Sequence, residues 1–491
     1  MEDPNFQIPK YMNTQHPDNV NAPFFAHDTE LAGEDEIQEA YYVFSHLGCD
    51  EQMWDCEGKE VDNFVVKKLL AKYDSYFKGN RMGRDVFITL RVPNPSVERD
   101  EAKVLLETLE SIPRSFDTAK LFYGDDIPPI FEVILPMTTS AKCLDRVYRY
   151  YRDFVVGKQN RPFKDGDITI ADWIGTFQPE YVNVIPLFED LEHMLASAEI
   201  TREYLVGKDI ERQRVFLARS DPAMNYGLVS AVLLDKISLQ RLYMLEEEVG
   251  IEIYPILGVG SAPFRGNFKP STVTRVLEEY PAVHTFTIQS SFKYDNPPDI
   301  VRDAVEIISD SRKSPTGQVD EGRCLEIIHK YAEEYKNQVL GLAELINEVA
   351  KFVPGRRKRK LHIGLFGYAR SLEGISLPRA IGFTAALYSI GIPPEILGLN
   401  ALEERDIDFI RENYIHFDED MKDSLRFLNP ESLSLLPVNL RESLKSLGID
   451  HDSDERHIAI SSHILRSTTS KSFTRIEESV LQAANIRGFL G

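Results

Sequence analysis

Cysteine is scarce. Four thiols in 491 residues do not build the dense disulfide framework of a small secreted scaffold. Long apolar runs are missing too. No uninterrupted stretch approaches the ~20 residues that a membrane-spanning helix needs. The N-terminal MEDPNFQIPKYMN also lacks the apolar centre of a secretory signal. The expectation is a reducing, cytoplasmic setting without membrane contact. Positive charge is in the minority: 56 Lys and Arg stand against 78 Asp and Glu, a formal net charge of −22. Nucleic-acid binders concentrate positive charge, so no nucleic-acid partner is expected. An anionic ligand would have to be met by arginines gathered locally against the global field. No Gly-x-Gly-x-x-Gly turn follows the first regular strand pattern, which argues against a dinucleotide-binding doubly wound sheet.

What is present is globular in character. Hydrophobic residues make up 43% and charged residues 27%, enough apolar surface to offset chain entropy. The length fits roughly three average domains, or one barrel with additions. Helices are expected over residues 34–44 and 59–76. From residue 85 onward, short apolar or β-branched runs alternate with helical stretches. Eight runs stand out: 85–92 (DVFITLRV), 130–137 (IFEVILPM), 182–188 (VNVIPLF), 214–218 (RVFLA), 251–257 (IEIYPIL), 285–290 (TFTIQS), 361–366 (LHIGLF) and 395–399 (EILGL). Such runs suit strands buried on both faces, as in parallel sheets.

Between the runs, Val273, Val276, Leu277 and Tyr280 follow helical spacing. Residues 228–248 are Leu-rich and free of Gly and Pro, and 380–388 read similarly. Eight strand–helix alternations predict an α/β fold, a (β/α)8 TIM-type barrel with extra N-terminal, inserted and C-terminal helices. An open doubly wound sheet is the alternative. The expected division is an N-terminal segment 1–84 carrying TQHPDN and packed on the barrel, then a catalytic barrel 85–402, then a helical region 403–491. A helical insertion at about 299–351 precedes the expected seventh strand.

Chemistry in such a barrel collects at the C-terminal ends of the strands. The expected ends carry Arg91, Glu189, Asp190, Ser220, Asp221, Gln289, Arg370 and Asn400, with Lys293 and Arg379 close behind their strands. Glu189 and Asp221 fall on neighbouring strands. Hard oxygen ligands that leave room for water and substrate suit Mg2+ or Mn2+. The four arginines 91, 265, 370 and 379 offer forks for phosphate and carboxylate. The loop 258–266, with Gly258, Gly260 and Gly266, lets backbone N–H groups approach an anion and is the candidate lid.

Together these residues describe a site for a small substrate carrying both phosphate and carboxylate, although each taken singly has a plainer reading as a cap or surface charge. The cluster TQHPDN (14–19) offers His16 as a proton carrier, and on spacing alone reads as a turn or cap. The basic run 356–360 is expected to be a solvated face at the barrel bottom, or a subunit contact. Cys49 and Cys56, with His46 nearby, are expected to be buried thiols rather than zinc ligands.

These residues resemble phosphoenolpyruvate carboxylase, specifically its short archaeal-type form. The motifs are TQHPDN at 14–19, PLFE at 186–189, ARSDPAMNYG at 218–227, GVGSAPFRG at 258–266, GYARS at 367–371, LPRA at 377–380 and the terminal RGFLG. They span nearly the whole chain in order. The resemblance implies a barrel enzyme that irreversibly carboxylates phosphoenolpyruvate with bicarbonate to oxaloacetate and phosphate. The route runs through carboxyphosphate and a metal-bound enolate, and the reaction serves anaplerotic carbon fixation feeding the tricarboxylic acid cycle. It implies Mg2+ or Mn2+ on Glu189 and Asp221, active-site arginines at 91, 265, 370 and 379, and His16 as proton handler. Substrate contacts are expected from Gly258, Gly260, Arg265, Gly266, Lys293, Arg370 and Arg379. A homotetramer inhibited by aspartate or malate is also implied. The long form carries a catalytic His and Arg in an HGRGG loop where this chain has Leu257 and Val259, and a lysine where it has Met224.

Two other readings use the same residues. One is a different divalent-metal-dependent barrel aldolase or lyase acting on a 2-oxo acid enolate. The other is a non-catalytic dicarboxylate-binding barrel. Phosphate release that requires bicarbonate separates the first from a carboxylase, and tight binding without turnover marks the second.

Overall fold

Eight short parallel strands close on themselves: β1 (Tyr11–Asn13), β2 (Glu51–Asp55), β3 (Phe87–Arg91), β4 (Glu132–Leu135), β5 (Asn183–Phe188), β6 (Arg212–Ala218), β7 (Glu252–Gly258) and β8 (Thr285–Ile288). The structure is a computed structural model and describes residues 7–57, 62–99, 102–358, 370–372 and 374–491, with backbone alone at 370–372. Closure is made where β1 pairs with β8 in the register Tyr11↔Phe286, Met12↔Thr287, Asn13↔Ile288. The (β/α)8 barrel expected from the sequence is therefore present.

Side-chain alternation sorts each strand into two faces. Met12, Met53, Ile134, Ile185, Leu187, Phe216, Ala218 and Ile256 point inward and form one buried cluster. Their out-of-phase neighbours, including Trp54, Leu90, Val184, Phe188, Val215 and Leu257, join the larger core beneath the surrounding helices. The N-terminal end of the barrel interior is charged. Arg214 on β6 donates two 2.7 Å hydrogen bonds to the Glu51 carboxylate on β2 and one of 3.2 Å to Glu132 on β4. The Thr89 hydroxyl donates to Glu51 at 2.6 Å. β2, β4 and β6 are not neighbours, so these side chains meet only across the interior.

The strands are not all where apolar runs placed them. The segment 1–84 is not packed on the barrel as a separate unit, because it supplies β1 and β2. Both are hidden from a hydrophobicity scan. β1 has three residues, and β2 reads EQMWD because two of its three inward positions, Glu51 and Asp55, carry charge matched by Arg214 and Arg91. The barrel thus runs from Tyr11 to Ile288 rather than over 85–402.

The expected strand at 395–399 is instead two 3-10 turns, Pro394–Ile396, which is buried, and Leu399–Ala401, of which Leu399 is buried. Pro393 and Pro394 remove ladder donors there, and Gly398, at φ 88°, turns the chain. The run 361–366 lies outside the described residues. The helical insertion exists as Pro298–Asp310 and Glu321–Ala350, but it follows the eighth strand. The region after 403 is helical as expected, ending in Glu455–Thr469 and Ile476–Arg487. Among the described residues, no single helix is long and apolar enough to cross a membrane.

The first two residues of the basic run 356–360 do not form a solvated face, whereas Lys358 is exposed. Arg356 and Arg357 are buried. Arg357 bridges Glu36 at 2.7 Å and Glu39 at 2.8 Å on helix Glu34–Ser45, and Arg356 donates to the Val20 carbonyl at 2.6 Å. The four cysteines are free and buried, as expected for Cys49 and Cys56. Burial pushes the Cys49 thiol up to about 12.

Candidate active site

The inward side-chain stack ends at the C-terminal rim of the barrel in polar residues. In β5 the inward series Ile185, Leu187 continues to Glu189, and in β3 Thr89 continues to Arg91. There a cavity of about 250 Å³ opens, walled by His16, Arg91, Glu189, Asp221, Arg265 and Arg379. Ser220, Gly258 and Gln289 complete the rim, and Met53, Leu187, Phe216 and Ala218 form an apolar floor. Six of the sequence-nominated residues thus converge from six separate places in the chain. Asp190, the other acid after β5, has the plainer role: its Oδ1 caps helix Leu191–Leu195 through the His193 N–H at 3.0 Å.

Each arginine is held differently. Arg91 presents its fork to Asp55, Nε to Oδ1 at 3.1 Å and NH2 to Oδ2 at 2.9 Å, with Glu57 at 3.5 Å. The partnership follows from the β2–β3 register, which sets Asp55 opposite Arg91. Arg265 is 2% exposed. It donates from Nε to the Ser220 hydroxyl at 3.2 Å, from NH1 to the Gly491 backbone oxygen at 2.6 Å and from NH2 to Gln289 Oε1 at 2.6 Å. Asp18 Oδ2 lies 3.5 Å from NH1. A guanidinium has five N–H donors; most of them here orient the fork, so Arg265 meets a ligand with its charge and its remaining donor directions. Burial lowers its pKa, opposed by the charges of Asp18 and Asp221. Arg379 is exposed and precedes helix Ala380–Ser389 at the cavity edge. The Arg370 side chain lies outside the described residues.

The glycines of loop 258–266 serve the arginine more than the cavity. Only Gly258 lines the cavity. A Cβ at Gly260 would sit 2.8 Å from the Arg265 guanidinium carbon, and one at Gly266, whose φ is 117°, would sit 2.7 Å from Val259. Residues 259–266, the expected lid, are buried in this structure. The loop is also closed on itself by Gly260 N–H to the Arg265 carbonyl at 2.7 Å and Phe268 N–H to the Gly260 carbonyl at 2.9 Å.

Lys293 is the clearest displacement from expectation. It is 1% exposed and is not part of the cavity wall. Its Nζ donates to the Thr14 carbonyl at 3.0 Å and faces Glu39 at 3.4 Å. Burial pulls its pKa down, with Glu39 pulling the other way. Burial alone would raise the Glu39 carboxyl, but Arg357 and Lys293 outweigh it and hold it at about 2.

Several supporting residues were not singled out in the sequence. Asp18, fully buried, accepts from the Ser291 N–H at 2.7 Å and the Ser261 N–H at 3.3 Å, tying the β7 and β8 loops to the motif that carries His16. Burial raises its carboxyl pKa, opposed by Arg265 and these N–H groups. Its place inside TQHPDN was the available signal. Asp55 had none, because β2 was not recognised.

Glu189 and Asp221 fit a hard divalent cation: both are carboxylates lining the same cavity. Among the described residues no group of three or more His, Cys, Asp or Glu side chains forms a metal cluster. The described residues thus offer a metal two carboxylates, a set that suits Mg2+ or Mn2+ sharing its shell with water and substrate.

The family model described as phosphoenolpyruvate carboxylase matches residues 8–491. The phosphoenolpyruvate carboxylase of Methanothermobacter thermautotrophicus is 57% identical over 485 residues, covering 99% of this chain and 100% of that protein. That of Pyrococcus furiosus is 52% identical over 495 residues, again covering 99% and 100%. A solved malate synthase from Haloferax volcanii, 11% identical, aligns with 72% of this chain and 86% of its own at a TM-score of 0.40; the barrel assignment rests on the strand pairing instead. By sequence over its whole described length, the chain belongs to the phosphoenolpyruvate carboxylase family, whose members are carboxy-lyases.

Proposed function

We propose that the cavity at the barrel rim is where phosphoenolpyruvate and bicarbonate become oxaloacetate and phosphate, with residue roles as follows. The observation that carries the reading is the convergence of His16, two carboxylates and three guanidinium groups on one small cavity with an apolar floor. A Mg2+ or Mn2+ ion held by Glu189 and Asp221 supplies Lewis-acid stabilisation to substrate oxygens.

Arg265 and Arg379 neutralise phosphate and carboxylate, with Arg91 supporting and Arg370 assigned alongside them from sequence. A bicarbonate oxygen attacks phosphorus and the bond from phosphorus to the enol oxygen breaks, giving carboxyphosphate and the enolate of pyruvate. His16 takes the carboxyl proton of carboxyphosphate. The carbon–oxygen bond to the phosphoryl group then breaks, leaving CO2 and phosphate, and the enolate carbon captures CO2. Met53, Leu187 and Phe216 give the uncharged CO2 an apolar floor and keep out water, whose proton would divert the enolate to pyruvate.

The test is oxaloacetate formation followed by coupled reduction, with bicarbonate and Mg2+ each present and absent. No bicarbonate-dependent phosphate release, with turnover of a 2-oxo acid instead, would favour a different lyase, and tight binding without turnover a binding protein. A cytoplasmic, anaplerotic role, inhibition by aspartate or malate, and a homotetramer belong to the same proposal. The exposed Phe163 and Trp173, whose rings meet edge to face at 5.3 Å, support burial of surface in an assembly. Light scattering on the purified protein tests the tetramer.

A further inference from the structure

We infer that Thr14 is a positioning residue that fixes His16 in the ring orientation and tautomer its proton transfer requires, and that Lys293 acts from behind as the clamp on Thr14. This rests on the reading of His16 as the base for carboxyphosphate.

Thr14 is fully buried and is held at three points. Its N–H donates to the Ile288 carbonyl of β8 at 2.9 Å. Its carbonyl accepts from Lys293 Nζ at 3.0 Å. Its hydroxyl lies 2.9 Å from His16 Nδ1. The His16 backbone is fixed as well, its carbonyl accepting from the Ser290 N–H at 3.2 Å and the Asp18 N–H at 3.1 Å. The clamp itself cannot drift, because Lys293 faces Glu39, which also accepts from Arg357 at 2.8 Å and from the Tyr294 hydroxyl at 2.8 Å.

A neutral imidazole has one N–H and one bare nitrogen, and the bond made by one nitrogen decides the state of the other. With Nδ1–H donating to the Thr14 hydroxyl oxygen, Nε2 is the nitrogen that accepts a proton. The O–H bond of the carboxyphosphate carboxyl breaks, an Nε2–H bond forms, and the carbon–oxygen electron pair leaves with phosphate as CO2 is released. Nδ1–H keeps the same acceptor before and after this step, so the ring needs no reorientation. The opposite sense, a hydroxyl donating to Nδ1, would leave Nε2 already protonated and unable to act.

The experiment measures phosphate and oxaloacetate in parallel on the full chain with phosphoenolpyruvate, bicarbonate and Mg2+. Thr14→Val keeps the shape and removes the hydroxyl. Its kcat for oxaloacetate should fall about 10–100-fold, a fraction of the ~10²–10⁴ that a positioned base contributes. KM for phosphoenolpyruvate should stay within about twofold, the ratio of phosphate to oxaloacetate should rise above one, and Thr14→Ser should restore it. His16→Asn, run alongside, should release phosphate with bicarbonate while forming almost no oxaloacetate. If His16→Asn makes oxaloacetate at the normal rate, the base reading fails and the Thr14 assignment with it. If His16→Asn is blocked while Thr14→Val keeps normal kcat and a ratio near one, the Thr14 assignment alone is overturned. Should Thr14→Val not fold, Thr14→Ser and Thr14→Ala differ by the hydroxyl only, and equal product ratios in that pair overturn it too.

Discussion

Replacing Arg265 by lysine keeps the positive charge and discards the fork, so it separates electrostatics from geometry. In the native site three nitrogens of one planar group each meet a different acceptor: Ser220 at 3.2 Å, Gly491 at 2.6 Å and Gln289 at 2.6 Å. The group is 2% exposed, so water does not replace a lost donor. A lysine offers one nitrogen and strands at least one of these acceptors. Each charge-assisted bond lost costs roughly 1.5–3 kcal/mol. Losing a donor preorganised toward developing charge costs ~10²–10³ in rate.

We expect kcat/KM for phosphoenolpyruvate to drop by about 10²–10³ in Arg265→Lys, by the logic that arginine and lysine are not interchangeable where a fork is used. Arg265→Met should fall further, because the charge goes as well. The assay is oxaloacetate formation at saturating bicarbonate across a phosphoenolpyruvate series. A lysine variant within about fivefold of the native kcat/KM would refute the reasoning, because charge alone would then suffice.

Glu189→Gln and Asp221→Asn should each lower kcat by about 10³, the several kcal/mol that a catalytic cation supplies. Each should also weaken Mn2+ binding measured by titration calorimetry, and native Mn2+ affinity in both variants would remove them as ligands. Arg214→Met strands Glu51 and Glu132 in the barrel interior and should cost about 3–5 kcal/mol. A lowered urea midpoint, largely restored by adding Glu51→Gln and Glu132→Gln, checks this, and an unchanged midpoint contradicts it. His284 has its pKa lowered by burial to about 4, and its Nε2 lies 3.0 Å from the Ile8 carbonyl. The unfolded chain binds the proton that the folded one refuses, so this stabilisation is full above pH ~6.5. It declines as pH falls below that value and is gone below about 4. His284→Gln should flatten that part of the melting-temperature profile between pH 6.5 and 4, and an unaltered slope would count against it.

The sequence left the first two strands of the barrel obscure and made the other six legible. β3 to β8 were readable because both faces of each strand are mainly apolar, one against helices and one against the interior. β2 was not, since Glu51 and Asp55 project inward and are neutralised by Arg214 and Arg91, partners distant in the chain and opposite in charge. Composition sees two acids and a tryptophan; only closure of the barrel makes them core. The buried run 395–399 failed in the other direction: apolarity reported burial correctly and geometry wrongly, because adjacent prolines cannot supply ladder donors. Lys293 and Arg357 were misjudged for a related reason. A basic side chain in an acidic protein looks like a ligand contact or solvent face until its buried carboxylate, here Glu39 for both and Glu36 for Arg357, is brought beside it by folding.

That the N-terminal segment supplies β1 changes what the TQHPDN motif means physically. An arm laid against a finished barrel would hold His16 by surface contacts alone and would carry the entropy cost of ordering a loose segment. A strand that closes the barrel cannot leave without opening it. The register Asn13↔Ile288 delivers Thr14, His16 and Asp18 to the same rim as Glu189 and Asp221. Asp18 then binds the β7 and β8 loops that carry Ser261 and Ser291. Barrel closure and site assembly are therefore one event. Substitutions that weaken the β1–β8 seam, far from any substrate atom, should lower kcat and the melting temperature together, and a variant that loses one with the other unchanged would contradict this.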